Sequence, residues 1–189
     1  MTREEALKLL SDNVKNQNLI KHMLATEAVM KALYVRLNKE PNTQGINDWA
    51  MVGLLHDLDY EQSKDHPQKH GMISADKLNG KLDPSLIHAI MAHNYKYTKV
   101  MPDSLMDWSI SCCDELTGLI IASTLISPEK KLALVTSDFV LNRFKEKSFA
   151  KGANREQIKM CEEKLQIPLN EFVSIALLAM QQIAPDLGL

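Results

Sequence analysis

The His56-Asp57 pair closes an apolar run in Leu54-Leu55-His56-Asp57-Leu58-Asp59-Tyr60, after which the chain turns acidic. An imidazole nitrogen and a carboxylate oxygen one residue apart form the mixed donor set that suits zinc, iron or manganese. Neighbouring helical residues point about 100° apart, so the two share one ion only near a helix end, or face two ions together. By itself the dipeptide is better explained as a helix C-terminus with His56 near the negative end of the dipole. Its partners decide the matter. Four of the six histidines, His22, His56, His70 and His93, fall on or near the ends of four different predicted helices. Asp114 sits inside a fifth, largely apolar helix, where an unpaired carboxylate is expensive to bury.

The elements that must position these residues are helical. The chain has 189 residues, 45% of them hydrophobic but only 5% aromatic, which favours helix over sheet and allows one domain with a sizeable core. A net charge of -2 argues against a general nucleic-acid binder. Cys112, Cys113 and Cys161 form no C-x-x-C motif, which points to a reduced compartment. The N-terminus lacks a signal-peptide pattern and no apolar run approaches the ~20 residues that span a bilayer, so the expectation is a cytoplasmic protein without a membrane partner.

Thr2-x-x-Glu5 has the form of a capping box for a first helix to about Lys15, and a second helix covers roughly Leu19 to Leu37. Asn47 or Asp48 is the expected cap of a third helix ending at the His-Asp pair, with a polar loop from Asp59 to Gln68 beyond it. A fourth helix is expected near Gln68 to Leu78 with His70 at its start. Asp83-Pro84 opens a fifth that carries His93 near its end, and Pro102-Asp103 opens a long sixth through about Leu125. Ser127-Pro128 and Asn154-x-x-Gln157 read as further starts, and Pro168 precedes a last helix to about Ile183. Nothing alternates with period two for long enough to be a strand. The expected fold is therefore an all-α helical bundle in a single domain over residues 1–189, with a metal-binding core at about 19–126 and C-terminal helices at about 127–185 packed on it.

The order His22, His56-Asp57, His70, His93, Asp114 resembles the HD-domain metal-dependent phosphohydrolase superfamily. Its minimal pattern is a His, a His-Asp pair and a distant Asp, and two intermediate histidines mark its dinuclear branches. His66-Pro67-Gln68-Lys69-His70-Gly71, Ala92-His93-Asn94 and Cys113-Asp114-Glu115-Leu116-Thr117-Gly118-Leu119-Ile120 are similar to segments of a bacterial HD-hydrolase subfamily known mainly from sequence. The resemblance implies an HD-type bundle in which His22, His56, Asp57 and Asp114 hold one divalent metal. It further implies that Asp57 bridges to a second metal held by His70 and His93, the ions being Fe, Mn, Zn or Mg. A carboxylate can span two cations, and two ions about 3.5–4 Å apart can acidify a shared water for in-line attack on phosphorus. On this reading Asp57, His70 and His93 are the catalytic residues. With one ion only, His70 and His93 become candidates for phosphate contacts or proton transfer.

Asp59, Thr26, Glu115 or Thr117 can fix the imidazole tautomers, and sequence does not choose among them. His66, four before His70, and Lys96, just after His93, are candidate substrate contacts. Arg143, Lys145, Lys147 and Arg155 make a locally basic stretch able to hold the non-reacting phosphates of a nucleotide, though such runs are often only solvated faces. His88 stands about 140° from His93 round a helix and is not read as a ligand. Cys112 and Cys113 are read as buried apolar residues rather than nucleophiles. The expected activity is hydrolysis of a phosphate ester or anhydride of a small molecule, preferentially a nucleotide. The rivals are a di-iron oxygenase built on the same ligands and a nucleotide sensor without turnover. A homo-oligomer is compatible with either.

Overall fold

Twelve α-helices and two short 3-10 turns account for the fold, described over residues 1–189 by a computed structural model, and there is no strand. The frame is set by three helices. In α2 (Gln17–Leu37), Met23, Val29, Met30 and Leu33 recur at helical spacing and are fully buried. α3 (Thr43–Leu55) lies along α2 so closely that a Cβ on Gly53 would stand 2.7 Å from the Thr26 carbonyl oxygen. Glycine is required at that crossing, and the crossing brings His56, the residue after α3, to His22 on α2. α8 (Leu105–Ile126) runs through the middle, burying Ile110, Cys112, Cys113, Leu116, Leu119 and Ile120 against α2, α6 (Pro84–Ala92) and α10 (Arg155–Lys164).

The first helix, α1 (Arg3–Asn13), begins at Thr2 with both halves of the capping box formed. At the other end, α9 (Ser137–Lys145) and α11 (Leu169–Gln182) pack on each other, while α11 and α12 (Ala184–Leu187) rest on α2. A single apolar cluster runs from Ala6 to Leu187, so the C-terminal helices share one core with the helices before them.

Several boundaries differ from those expected. α3 starts at Thr43, because the side chain of Asn42 accepts from the Gly45 N–H; Asn47 and Asp48, the expected caps, lie within the helix. The polar stretch after Asp59 contains a short helix, α4 (Tyr60–Ser63). Pro67–Lys69 is a 3-10 turn, His70 is extended, and Gly71 takes a left-handed φ of 88° before α5 (Met72–Leu78) begins. His70 therefore precedes its helix instead of starting it. α8 opens at Ser104, whose hydroxyl and Asp107 make a reciprocal cap, one residue beyond the expected Asp103.

Ser127-Pro128 opens no helix. Lys130 turns left-handed at φ 51°, which stops propagation, and α9 waits for a cap at Thr136. α8 has about the expected length, and by length and composition alone it is long and apolar enough for a membrane span, although no apolar run of that length was expected. In this fold it is the central core helix, with Asp107, Asp114 and Glu115 on its length.

Candidate metal centre

Six side chains converge from five parts of the chain. His22 lies on α2, His56 and Asp57 follow α3, His70 precedes Gly71, His93 follows α6, and Asp114 lies on α8. They form two triads whose donor atoms lie within 4.8 Å of one another: His22, His56 and Asp114, and Asp57, His70 and His93. In the first, His22 Nε2 is 2.9 Å from Asp114 Oδ1 and 3.3 Å from His56 Nε2. In the second, His70 Nε2 is 3.1 Å from Asp57 Oδ1 and 3.0 Å from His93 Nε2.

Asp57 joins the two. Its Oδ2 faces His22 and His56, each at 3.6 Å, while Oδ1 faces His70 at 3.1 Å and His93 at 3.7 Å. One carboxylate thus offers a separate oxygen to each triad.

All four imidazoles present the same nitrogen because the other one is engaged. His56 Nδ1 donates to the Gly53 carbonyl and His93 Nδ1 to the Ile90 carbonyl. His70 Nδ1 donates to Asp59 Oδ1 at 2.8 Å. The Thr117 hydroxyl donates to the Asp114 carbonyl and so accepts from His22 Nδ1. Carbonyl and carboxylate oxygens only accept, so each Nδ1 carries a proton and each Nε2 is left facing the cluster. Nε2 atoms facing one another at 3.0 and 3.3 Å hold a proton or a metal ion between them.

Of the four candidates for fixing tautomers, Asp59 and Thr117 hold imidazoles directly. Thr26 bonds the His22 carbonyl, and Glu115 accepts from the Asn154 N–H. Asp59 is fully buried and also accepts from the N–H groups of Gly71 and Ser74, which tethers the His70 loop. Asn94 adds a clamp, its amide donating to the Pro67 and His70 carbonyls.

The electrostatics ask for positive charge. Burial alone would push His56 and His70 down. Asp57 and Asp114 overrule it at His56, and Asp57 with Asp59 at His70, raising them to about 9 and about 10. Burial, with His70 and His56 nearby, pushes His93 down to about 4. Burial opposes ionisation of Asp57 and Asp114, yet the surrounding histidines hold both well below the ordinary carboxylate range. No lysine or arginine pairs with either carboxylate. A buried and a partly buried carboxylate, aligned Nε2 atoms and no lysine or arginine in the cluster together fit divalent metal ions, and these His and Asp groups are positioned to hold them.

The remaining candidates lie outside this cluster. His66 and Lys96 are exposed, with Lys96 near enough for its charge to act on Glu115. Arg143 pairs with Glu146 at 2.8 Å, and Lys145 and Lys147 are exposed. Arg155 is turned inward: its guanidinium donates to the carbonyls of Phe144, Glu146, Phe149, Ala150 and Ala153. It shapes the chain between α9 and α10 and has no donor left for a phosphate. A cavity of about 410 Å³ opens beside the first triad, lined by His22, Asp114, Glu115, Gly118, Ala150, Gly152 and Ala153. The basic segment thus reaches the site through its small residues, not its cations.

The chain matches no family model, no curated protein and no solved structure. The reading of the site accordingly rests on its geometry.

Proposed function

We propose that the chain is a metal-dependent hydrolase of a small phosphorylated molecule, preferentially a nucleotide, acting by direct attack of water on phosphorus. The observation that carries this reading is the divided Asp57 carboxylate, with one oxygen toward each triad of Nε2 and carboxylate donors. The resemblance to HD-domain phosphohydrolases in the order of the six residues supports it. Metal held by these residues would supply positive charge toward phosphoryl oxygens and would lower the pKa of a water.

The chain's own residues do the remainder. His22, His56 and Asp114 hold one position, His70 and His93 the other, and Asp57 keeps the two in register. Gly53, Ile90, Asp59 and Thr117 hold the imidazole planes, so little reorganisation is needed as charge develops. The carboxylates stay ionised at any working pH because their pKa values are depressed. A covalent route has no support nearby: Cys112 and Cys113 are fully buried and their thiols are pushed up by burial.

The test is metal analysis of freshly purified protein joined to a phosphatase screen over nucleotides and sugar phosphates, run with and without oxygen. The expected result is bound transition metal and phosphate release that survives anaerobiosis. Turnover that requires oxygen, or none on any phosphate ester with the metals loaded, would sink the hydrolase reading.

A further inference from the structure

The cavity beside the first triad is built from residues that are unusually small for their positions. Gly118 sits in the interior of α8, where glycine is a poor helix former. Nothing in the fold demands it. Its φ is not left-handed, it is exposed, and nothing beyond its own helix backbone and chain neighbours lies within 4 Å of where a Cβ would stand. Gly53, by contrast, is held by direct contact with α2. The space over Gly118 is open, and it lies one helical turn beyond Asp114 on the same face.

The facing wall is equally deliberate. Ala150, Gly152 and Ala153 line it, and Gly152 too has open space where a side chain would go. That wall is held from two sides. Arg155 gathers the carbonyls of Phe149, Ala150 and Ala153, and Glu115 accepts from the Asn154 N–H at 2.7 Å. Ala150 is kept at a left-handed φ of 43°, a conformation alanine adopts only where its surroundings impose it. Glu115 uses Oε2 for Asn154, leaving Oε1 free to accept from a ligand.

The lining contains two carboxylates, Asp114 and Glu115, and no lysine or arginine. With no lysine or arginine in the lining and Glu115 Oε1 open, the slot suits an uncharged group that donates hydrogen bonds. We infer that this slot takes the sugar of a phosphorylated sugar or nucleoside, with Gly118 as its floor, the Ala150–Ala153 segment as its wall and Glu115 accepting from a sugar hydroxyl. The inference rests on the hydrolase reading only for the phosphoryl group at the triads; the slot for the alcohol stands on its own geometry.

Gly118 makes the test clean because the protein has room for a larger side chain and the ligand would not. Gly118→Ala and Gly118→Leu should both fold, keep their metal and melt no lower than the parent, since either residue favours helix more than glycine does. Calorimetric titration with a non-hydrolysable nucleoside phosphonate and with methylphosphonate then reads the slot directly. The parent should bind the nucleoside phosphonate at least about tenfold more tightly. Gly118→Leu should lose that preference while still binding methylphosphonate, with Gly118→Ala between the two.

A parent without the preference, or binding neither probe, or a Gly118→Leu variant that keeps the preference with its metal intact, overturns the slot. A preference that disappears in Gly118→Leu, in a protein that turns over no phosphate ester, leaves the slot standing and removes the hydrolase reading instead.

Discussion

Two groups of buried carboxylates border α2, and they are neutralised in different ways. Glu27 is 2% exposed and held by Arg3 in a two-pronged pair at 2.7 and 2.9 Å, with Lys31 at 2.6 Å from the same carboxylate. Those cations are permanently charged, and the local charge is closed within the chain. Asp57 and Asp114 are surrounded only by imidazoles, each with its Nδ1 proton already committed. Their charge is balanced by protons on those imidazoles, which a metal ion can displace. A buried carboxylate with its own guanidinium is a structural joint; one that faces several free Nε2 atoms is a socket.

The contrast is broken most severely at Asp57. Asp57→Ala removes the one group that touches both triads, so metal retention and turnover should both be abolished, with the bound metal read by elemental analysis. A variant that keeps the parent's metal content would mean that the two triads are independent sites, or no site.

Protonation gives the next largest effect. His56 and His70 have raised values, about 9 and about 10, so below those values a metal must displace protons to bind. Metal affinity should therefore rise with pH by up to about tenfold per unit for each proton displaced, levelling off near these values. The same shifts set the stability of the metal-free protein. A raised folded-state pKa contributes stability that is full below the unfolded value of about 6.5 and is lost as pH rises through the folded value. His93, pushed down to about 4, works the other way, weakening the fold as pH falls through the unfolded value toward its own. With chelator present, the thermal midpoint should fall as pH climbs from about 6.5 and level off at about 9 to about 10; loaded protein should not show that drop. Identical profiles with and without metal would remove the socket from the comparison.

How much of this was legible depended on whether the signal is local. The all-α class followed from composition and periodicity. The caps at Thr2, Asp83 and Asn154 followed from side chains two or three residues from the N–H groups they bond. The convergence of His22, His56, Asp57, His70, His93 and Asp114 was implied only by the resemblance of their order to the HD-domain pattern, since spacing alone relates no two of these helices. Local rules failed where a later residue overrode them. Ser127-Pro128 carries good starting chemistry, but the left-handed Lys130 ends it. Asn42 hid its capping role inside a stretch that also reads as a loop. Arg155 looked like part of a phosphate-binding run because charge is visible in sequence, while the carbonyls that absorb it appear only when the chain between Phe144 and Ala153 folds back. Gly118 was quoted only as part of a motif, since its meaning is an absence of neighbours.

The smallest effect tests the other half of the comparison. Arg3 is about half exposed, 53% at its side chain, so its pair with Glu27 is screened by solvent, and Lys31 remains to neutralise the carboxylate when Arg3 is removed. Arg3→Ala should therefore lower stability by no more than about 1 kcal/mol in denaturant unfolding. Its metal content should match the parent's, because none of the six candidate ligands touches Arg3 or Glu27 in an ion pair or hydrogen bond. A loss of metal in Arg3→Ala would mean that the joint on α2 sets the position of His22 five residues before Glu27. The two carboxylate groups would then be one device in which the closed pair aligns the open one.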